Sequence, residues 1–227
     1  MDSRSRSKPT PEPARKPEAP PPAPLVLGVL GGIASGKSLV ARLLAGEQGV
    51  LISADRLAHE VLDTPEVRTR VRERFGAGVI GSDGRVDRRA LGNLVFDPER
   101  GEEARRELER WTHPLVRDRI MARWSEARAA GARRIVLDVP LLLENDADHG
   151  LARLCDVLVF VDSDDETRDR RARQERGWPA GEVARREAAQ IPLTEKKQRA
   201  QHLLPNHSSL KQLEEAVADL DRRLARG

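Results

Sequence analysis

The run Gly31-Gly32-Ile33-Ala34-Ser35-Gly36-Lys37-Ser38 constrains this chain more than any other feature. It lies between an apolar segment, Leu25 to Leu30, and a segment with helical spacing at Leu39, Val40, Leu43 and Leu44. The apolar segment reads as a strand buried on both faces. Glycines at these positions let successive backbone N–H groups turn toward one anion, and a helix beginning at Ser38 adds the positive end of its dipole. Lys37 then reaches outer phosphates, and the Ser38 hydroxyl is placed to bind magnesium. The alternative is a glycine-rich strand-to-helix turn that carries Lys-Ser by chance. The presence of both flanking elements favours the phosphate-binding reading.

Further strands extend the pattern. Val50-Leu51-Ile52 ends at Ser53-Ala54-Asp55, Ile135-Val136-Leu137 ends at Asp138, and Val157 to Val161 ends at Asp162. β-Branched residues dominate these runs, and helix-like sequence separates them, which predicts an α/β fold with a parallel sheet flanked by helices. His202-Leu203-Leu204 is a weaker fifth candidate, cut by Pro205. Leu210, Leu213, Val217, Leu220 and Leu224 mark one face of a final helix capped by Ser208 or Ser209. Residues 56 to about 130 read as polar helices around a glycine-rich turn at 76 to 84, a helical insertion at the sheet edge.

Residues 1–24 differ from the rest. They hold eight of the fifteen prolines and almost no large apolar side chain, so burial cannot offset their ordering entropy. We expect a disordered tail, with 25–227 forming one domain; the prolines could also dock in an aromatic groove on a partner. The tail carries +2 of the net charge of +3, five basic minus three acidic residues, leaving the domain near neutral. With no Tyr and only three Phe and three Trp, neither a basic surface nor stacking rings for nucleic acid are expected. No apolar stretch is long enough to span a bilayer, and a single cysteine, Cys155, cannot form an internal disulfide. These features suit a reducing, cytoplasmic setting without nucleic-acid or membrane partners.

Two carboxylates follow strands at the rim where parallel sheets bind ligands. Asp55 either orients an acceptor hydroxyl and takes its proton, or caps a helix over Arg56 to Leu62. Asp138 is either magnesium-associated or a turn residue before Pro140. The arginines from 168 to 176 either neutralise phosphates or form a solvated helix face. His59, His113 and Cys155 lack metal-ligand spacing, and Trp111 and Trp124 read as core residues beside Leu108, Leu115 and Ile120. A nucleotide-regulated switch is the rival class. It is disfavoured by the lack of an Asn-Lys-x-Asp guanine signature and of an Asp-Glu pair after an apolar strand.

From Leu25 to about Leu220 the chain resembles the dephospho-CoA kinase family. The likeness is carried by Gly31-Gly32-Ile33, Ala54-Asp55, Phe75-Gly76, Asp83-Gly84-Arg85-Val86-Asp87-Arg88-Arg89-Ala90-Leu91, Val95-Phe96, His113-Pro114, Pro140-Leu141-Leu142-Leu143-Glu144 and Gln190-Ile191-Pro192-Leu193-x-x-Lys196. The resemblance implies a P-loop kinase-like sheet that transfers the γ-phosphate of ATP, with Mg2+, to the ribose 3′-hydroxyl of dephospho-CoA. It implies Asp55 and Lys37 as catalytic and Asp55 and Arg89 as acceptor contacts, with 56–110 the substrate insertion and 166–192 the lid. For ATP it implies Gly32, Ile33, Ala34, Ser35, Gly36, Lys37, Ser38 and Leu39, with Arg173 and Arg176 from the lid, and Ser38 for the metal. The chain departs from the family pattern at Ala34, Leu39, Ser53, Gln201 and Pro205. Ala34, standing where the family usually has Gly, is expected to keep a negative φ.

Overall fold

The computed structural model describes residues 23–97, 99 and 101–225, so the reading of the tail falls almost wholly outside the described residues. Five strands form one sheet: β1 (Leu25–Gly31), β2 (Val50–Ser53), β3 (Arg134–Asp138), β4 (Val157–Asp162) and β5 (His202–Pro205), in the order β2-β3-β1-β4-β5. Every pairing is parallel. Chain order reverses at β1, which lies between β3 and β4, so the loop leaving β1 opens at the switch point where such sheets bind ligands.

The two-residue period sorts the central strands onto two cores. Val26, Leu30, Ile135, Leu137 and Phe160 face one layer, packed against Ile120 and Ala127 of α5 (Gly101–Ala129). Leu27, Val29, Val136, Val159 and Val161 face the other, against α1 (Lys37–Ala45) and the Leu213, Val217 and Leu220 stripe of the last helix, Leu210–Leu224. Gly28 is required on the first face, because a Cβ there would lie 2.7 Å from both Cys155 Sγ and Leu158 Cδ2.

The weak fifth strand candidate is a strand. Val161 pairs with Leu204 and Asp162 with Pro205, and as the terminal strand β5 tolerates the missing proline N–H. Ser209 rather than Ser208 caps the last helix, in a reciprocal box with Gln212.

The insertion comprises α2 (Ala54–Leu62), α3 (Pro65–Phe75), α4 (Arg88–Val95) and the first part of α5. Its glycine-rich turn closes on an antiparallel bridge between Ile80 and Val86. A third, valine-rich core holds it together: Val61, Val67, Val71, Val79, Val86, Leu91 and Val95. Trp111 and Trp124 are half-buried at core edges, not inside as expected, each with an arginine over its ring: Arg70 at 5.1 Å and Arg128 at 4.7 Å. Amphipathic rings accept such places because one face packs while the other meets a cation. Leu115 is exposed.

Candidate active site

The phosphate turn leaves β1 at the switch point and enters α1. The helix begins at Lys37, one residue earlier than expected, with Gly36 as its N-cap in the left-handed region at φ 89°. Only glycine fits there: a Cβ would lie 2.3 Å from Asn206 Nδ2. Ala34 adopts φ 57°, against the expected negative value. The turn must bend left-handed at this point to bring its amides to one side, and an L-residue is held there at about 1–2 kcal/mol. Among the described residues the N–H groups of Ala34, Gly36, Lys37 and Ser38 make no hydrogen bond, leaving a concentrated set of donors for an anion.

The turn is braced from the far edge of the sheet. Ser35 is fully buried, and its carbonyl accepts from Asn206 Nδ2 at 2.7 Å and Arg171 Nη1 at 3.4 Å. Arg171 also donates to the Asn206 carbonyl at 3.2 Å. Gly32 lacks a Cβ where Arg168 Nη1 would be 2.5 Å away and Glu187 Oε1 2.7 Å away. Leu39 sends its side chain into the core beside α1, and its N–H bonds the Gly36 carbonyl at 3.1 Å. Asn206 and Glu187 were not singled out from the sequence, although a polar residue just past a strand end at the ligand rim is a signal that could have found Asn206.

Lys37 Nζ donates to the Gly31 and Gly32 carbonyls at 3.1 and 2.7 Å. Burial, followed by the charge of Lys196, pulls its pKa down to about 8 despite the opposing pull of Asp138 and Glu187. Asp55 is the second residue of α2, inside the first turn, and Ser53 occupies the cap position, so the capping role falls away. Its carboxylate is exposed at the rim, yet reduced hydration and then nearby Asp138 raise its pKa, with His59, Lys37 and Arg176 opposing. Asp138 is buried at the end of β3, paired in register with Ser53. Asp55, Asp138, Lys37 and Arg176 thus lie within electrostatic reach of one another.

The proline-leucine-glutamate and glutamine-proline-lysine motifs also meet. Lys196, on α9 (Leu193–Arg199), pairs with Glu144 at 2.6 Å and bonds Gln190 Oε1 at 3.0 Å. Of the two arginines on α7 (Asp165–Arg176) that the resemblance assigns to ATP, Arg173 is more than half exposed and pairs with Asp169 at 3.2 Å. Arg176 lies over Trp178 at 4.9 Å and bears electrostatically on Lys37 and Asp55. Arg89 stands apart from this group. It lines a cleft of about 640 Å³ with Arg88, Asn93, Phe96, Trp178 and Arg186, where the insertion faces the chain after α7. His113 meets His149 edge-on at 5.7 Å, and no cluster of three His, Cys, Asp or Glu side chains is placed to hold a metal among the described residues.

The family model for dephospho-CoA kinase matches residues 25–212. The chain is 36% identical to the dephospho-CoA kinase of Geobacter sulfurreducens over 196 residues, covering 86% of this chain and 96% of that protein. It is 40% identical to that of Streptomyces avermitilis over 199 residues, covering 86% and 92%. A Thermus thermophilus crystal structure superposes with a TM-score of 0.68 at 34% identity, covering 89% of this chain and 99% of that one. The Campylobacter jejuni dephospho-CoA kinase shares the fold, with a TM-score of 0.63 at 22% identity over 89% of this chain and 98% of its own. Phosphate turn, rim carboxylates, convergent motifs and similarity over 86% of the chain lead to one assignment: the chain belongs to the dephospho-CoA kinase family.

Proposed function

We propose that this protein transfers the γ-phosphate of ATP to the ribose 3′-hydroxyl of dephospho-CoA, the final step of coenzyme A synthesis. The observation that carries the reading is the meeting of Lys37, Asp55 and Asp138 at the strand ends beside an amide-lined turn. The free amides of the turn hold the phosphates of ATP, and Lys37, released from the Gly31 and Gly32 carbonyls, neutralises the outer ones. Asp55 receives the acceptor hydroxyl and takes its proton as the oxygen attacks phosphorus; its pKa, raised by reduced hydration and then by Asp138, makes it a stronger base than an ordinary aspartate.

Magnesium fits the donors present. The exposed Ser38 hydroxyl at the first turn of α1 and the Asp138 carboxylate are hard oxygen ligands, and Mg2+ is commonly held by one or two protein oxygens together with substrate phosphates. When bound, it supplies charge neutralisation on the transferring group.

On the acceptor side, the cleft between α4 and Trp178 combines arginines with the exposed Phe96 ring and the half-buried Trp178 ring, a chemistry suited to a nucleotide with a pyrophosphate. Arg89 is the contact we assign there, with 56–110 as the acceptor domain. Residues 166–192 act as the lid, and Arg176 rather than Arg173 is the arginine turned to the nucleotide. No helix among the described residues is long and apolar enough to cross a membrane, and the Cys155 thiol, pushed up to about 12 by burial and by Asp156 and Asp146, stays protonated.

The test is transfer of label from γ-labelled ATP to dephospho-CoA. Label is expected on dephospho-CoA with the wild type, and at a rate about 10²–10⁴-fold lower with Asp55→Asn. Label passing to a different alcohol, with none on dephospho-CoA, refutes the acceptor while leaving a kinase.

A further inference from the structure

One amide of the phosphate turn is already taken by an anion of the protein's own. Ile33 N–H donates to Glu187 Oε1 at 2.6 Å, across 154 residues of sequence. The same oxygen accepts from Arg168 Nη1 at 2.5 Å, and Arg168 Nη1 also lies 3.4 Å from the Ile33 carbonyl. Asp165 Oδ1 takes Arg168 Nη2 at 2.6 Å. The Arg168 side chain is 3% exposed and that of Glu187 13%, so this is a built arrangement and not a surface pair. Its fit depends on Gly32, where any Cβ would strike both side chains. Arg168 Nε is buried without a hydrogen-bond partner, an unused donor at the mouth of a phosphate-binding turn.

We propose that Glu187 is an internal occupant of the phosphate turn: its carboxylate competes with the outermost phosphate of the nucleotide, which displaces it and takes over Ile33 N–H and Arg168. The proposal rests on the reading of this turn as the ATP site. A carboxylate and a phosphate cannot share one amide and one guanidinium without like-charge repulsion, so occupancy by either excludes the other.

Its carrier is easily moved. Helix α8 (Glu182–Glu187) has six residues and a single buried one, Val183. The neighbouring residue, Arg186, stacks on Trp178 at 4.1 Å and lines the acceptor cleft. Displacing Glu187 therefore shifts a wall of that cleft, so arrival of the nucleotide is felt where the acceptor binds. The unliganded α7 and α8 are held on the turn by a phosphate mimic, and the apparent nucleotide affinity is reduced by the fraction of molecules in that state.

The experiment compares binding of the magnesium complex of a non-hydrolysable ATP analogue, and of AMP, to wild type, Glu187→Gln and Glu187→Asp. Either variant is expected to bind the ATP analogue about tenfold more tightly, the change for a resident anion that blocks nine molecules in ten. AMP, lacking the outer phosphates, should bind unchanged. Adding Arg168→Gln to Glu187→Gln should weaken the analogue again. A purely structural Glu187 would instead loosen both ligands. Unchanged or weaker analogue binding by a folded Glu187 variant overturns the proposal, and Glu187→Asp serves if Glu187→Gln fails to fold. Absence of analogue binding by the wild type would sink the ATP-site reading itself. Tightened binding without transfer to dephospho-CoA would sink only the acceptor assignment.

Discussion

The floor of the site and the arms above it are built from different materials. The floor is the sheet: Leu27, Val29, Ile135, Val136 and Val159 are all 1% exposed or less, and they hold the phosphate turn and the strand-end carboxylates on buried apolar packing. The arms are Arg- and Glu-rich helices. α7 buries only Thr167, Arg168 and Ala172, and its other polar contacts include exposed pairs such as Arg173–Asp169, worth little in water. The polar contacts that α7 and α8 make to the turn itself are few and come from charged side chains: Glu187 to the Ile33 N–H, Arg168 to the Ile33 carbonyl and Arg171 to the Ser35 carbonyl. The turn and the strand-end carboxylates stand on packed strands, whereas α7 and α8 hang on charges that, under the proposal above, a ligand replaces.

The sharpest way to test this division is to remove charge from the floor. Asp55→Asn is expected to lower the transfer rate by about 10²–10⁴-fold, with nucleotide affinity changed less than about twofold, read from initial rates and equilibrium binding. Lys37→Met should lower transfer by about 10²-fold or more and yet stabilise the nucleotide-free protein. Burial depresses Lys37 from 10.5 to about 8, so the unfolded chain holds more protons between those values and stability rises with pH through that window. Below it the buried charge is a standing cost. Set against two lost hydrogen bonds, its removal should give about 1 kcal/mol, visible as a small rise in Tm near pH 7.

Packing contrasts come next. Leu27→Ala in the sheet should cost about 3–5 kcal/mol in a denaturant titration, and Val71→Ala in the insertion core about 1–2.5 kcal/mol, since fewer methyl groups are lost there. Equal losses would mean that the insertion is as tightly built as the floor. A pH profile of kcat/KM for ATP should fall on the alkaline side near pH 8 as Lys37 loses its proton, and on the acid side above the range of an ordinary aspartate as Asp55 gains one. The smallest effect is expected from Ala34→Gly. It relieves a left-handed alanine but adds unfolded-state freedom, for a net gain of about 0–1 kcal/mol by thermal melting.

Much of this was legible in the order of residues. The alternation in β1, β3 and β4 and the stripe of the last helix are local periodicities, which neighbours in sequence set by the faces they can bury. The phosphate turn was equally plain, because its geometry is a matter of consecutive residues, and so was Asp55, placed by its position at a strand end. Arg89 and the lid came only through resemblance, since a charged helix face looks the same in sequence whether it meets solvent or a ligand.

Other features needed the folded chain. His202 to Pro205, short and cut by proline, reads only as a weak strand candidate, and it forms a strand because β4 offers a ladder beside it. The φ of Ala34 is imposed by a turn that must converge its amides, overriding the residue's own preference. Asn206 meets Ser35 across 171 residues and Glu187 meets Ile33 across 154, distances over which no spacing rule operates. Sequence by itself determined the central strands, the first and last helices and the phosphate-loop pattern, because hydrophobic period and backbone freedom act over a few residues. Tertiary structure alone decided which side chains brace that turn and which one occupies it, because such partners are chosen by the packing of whole elements.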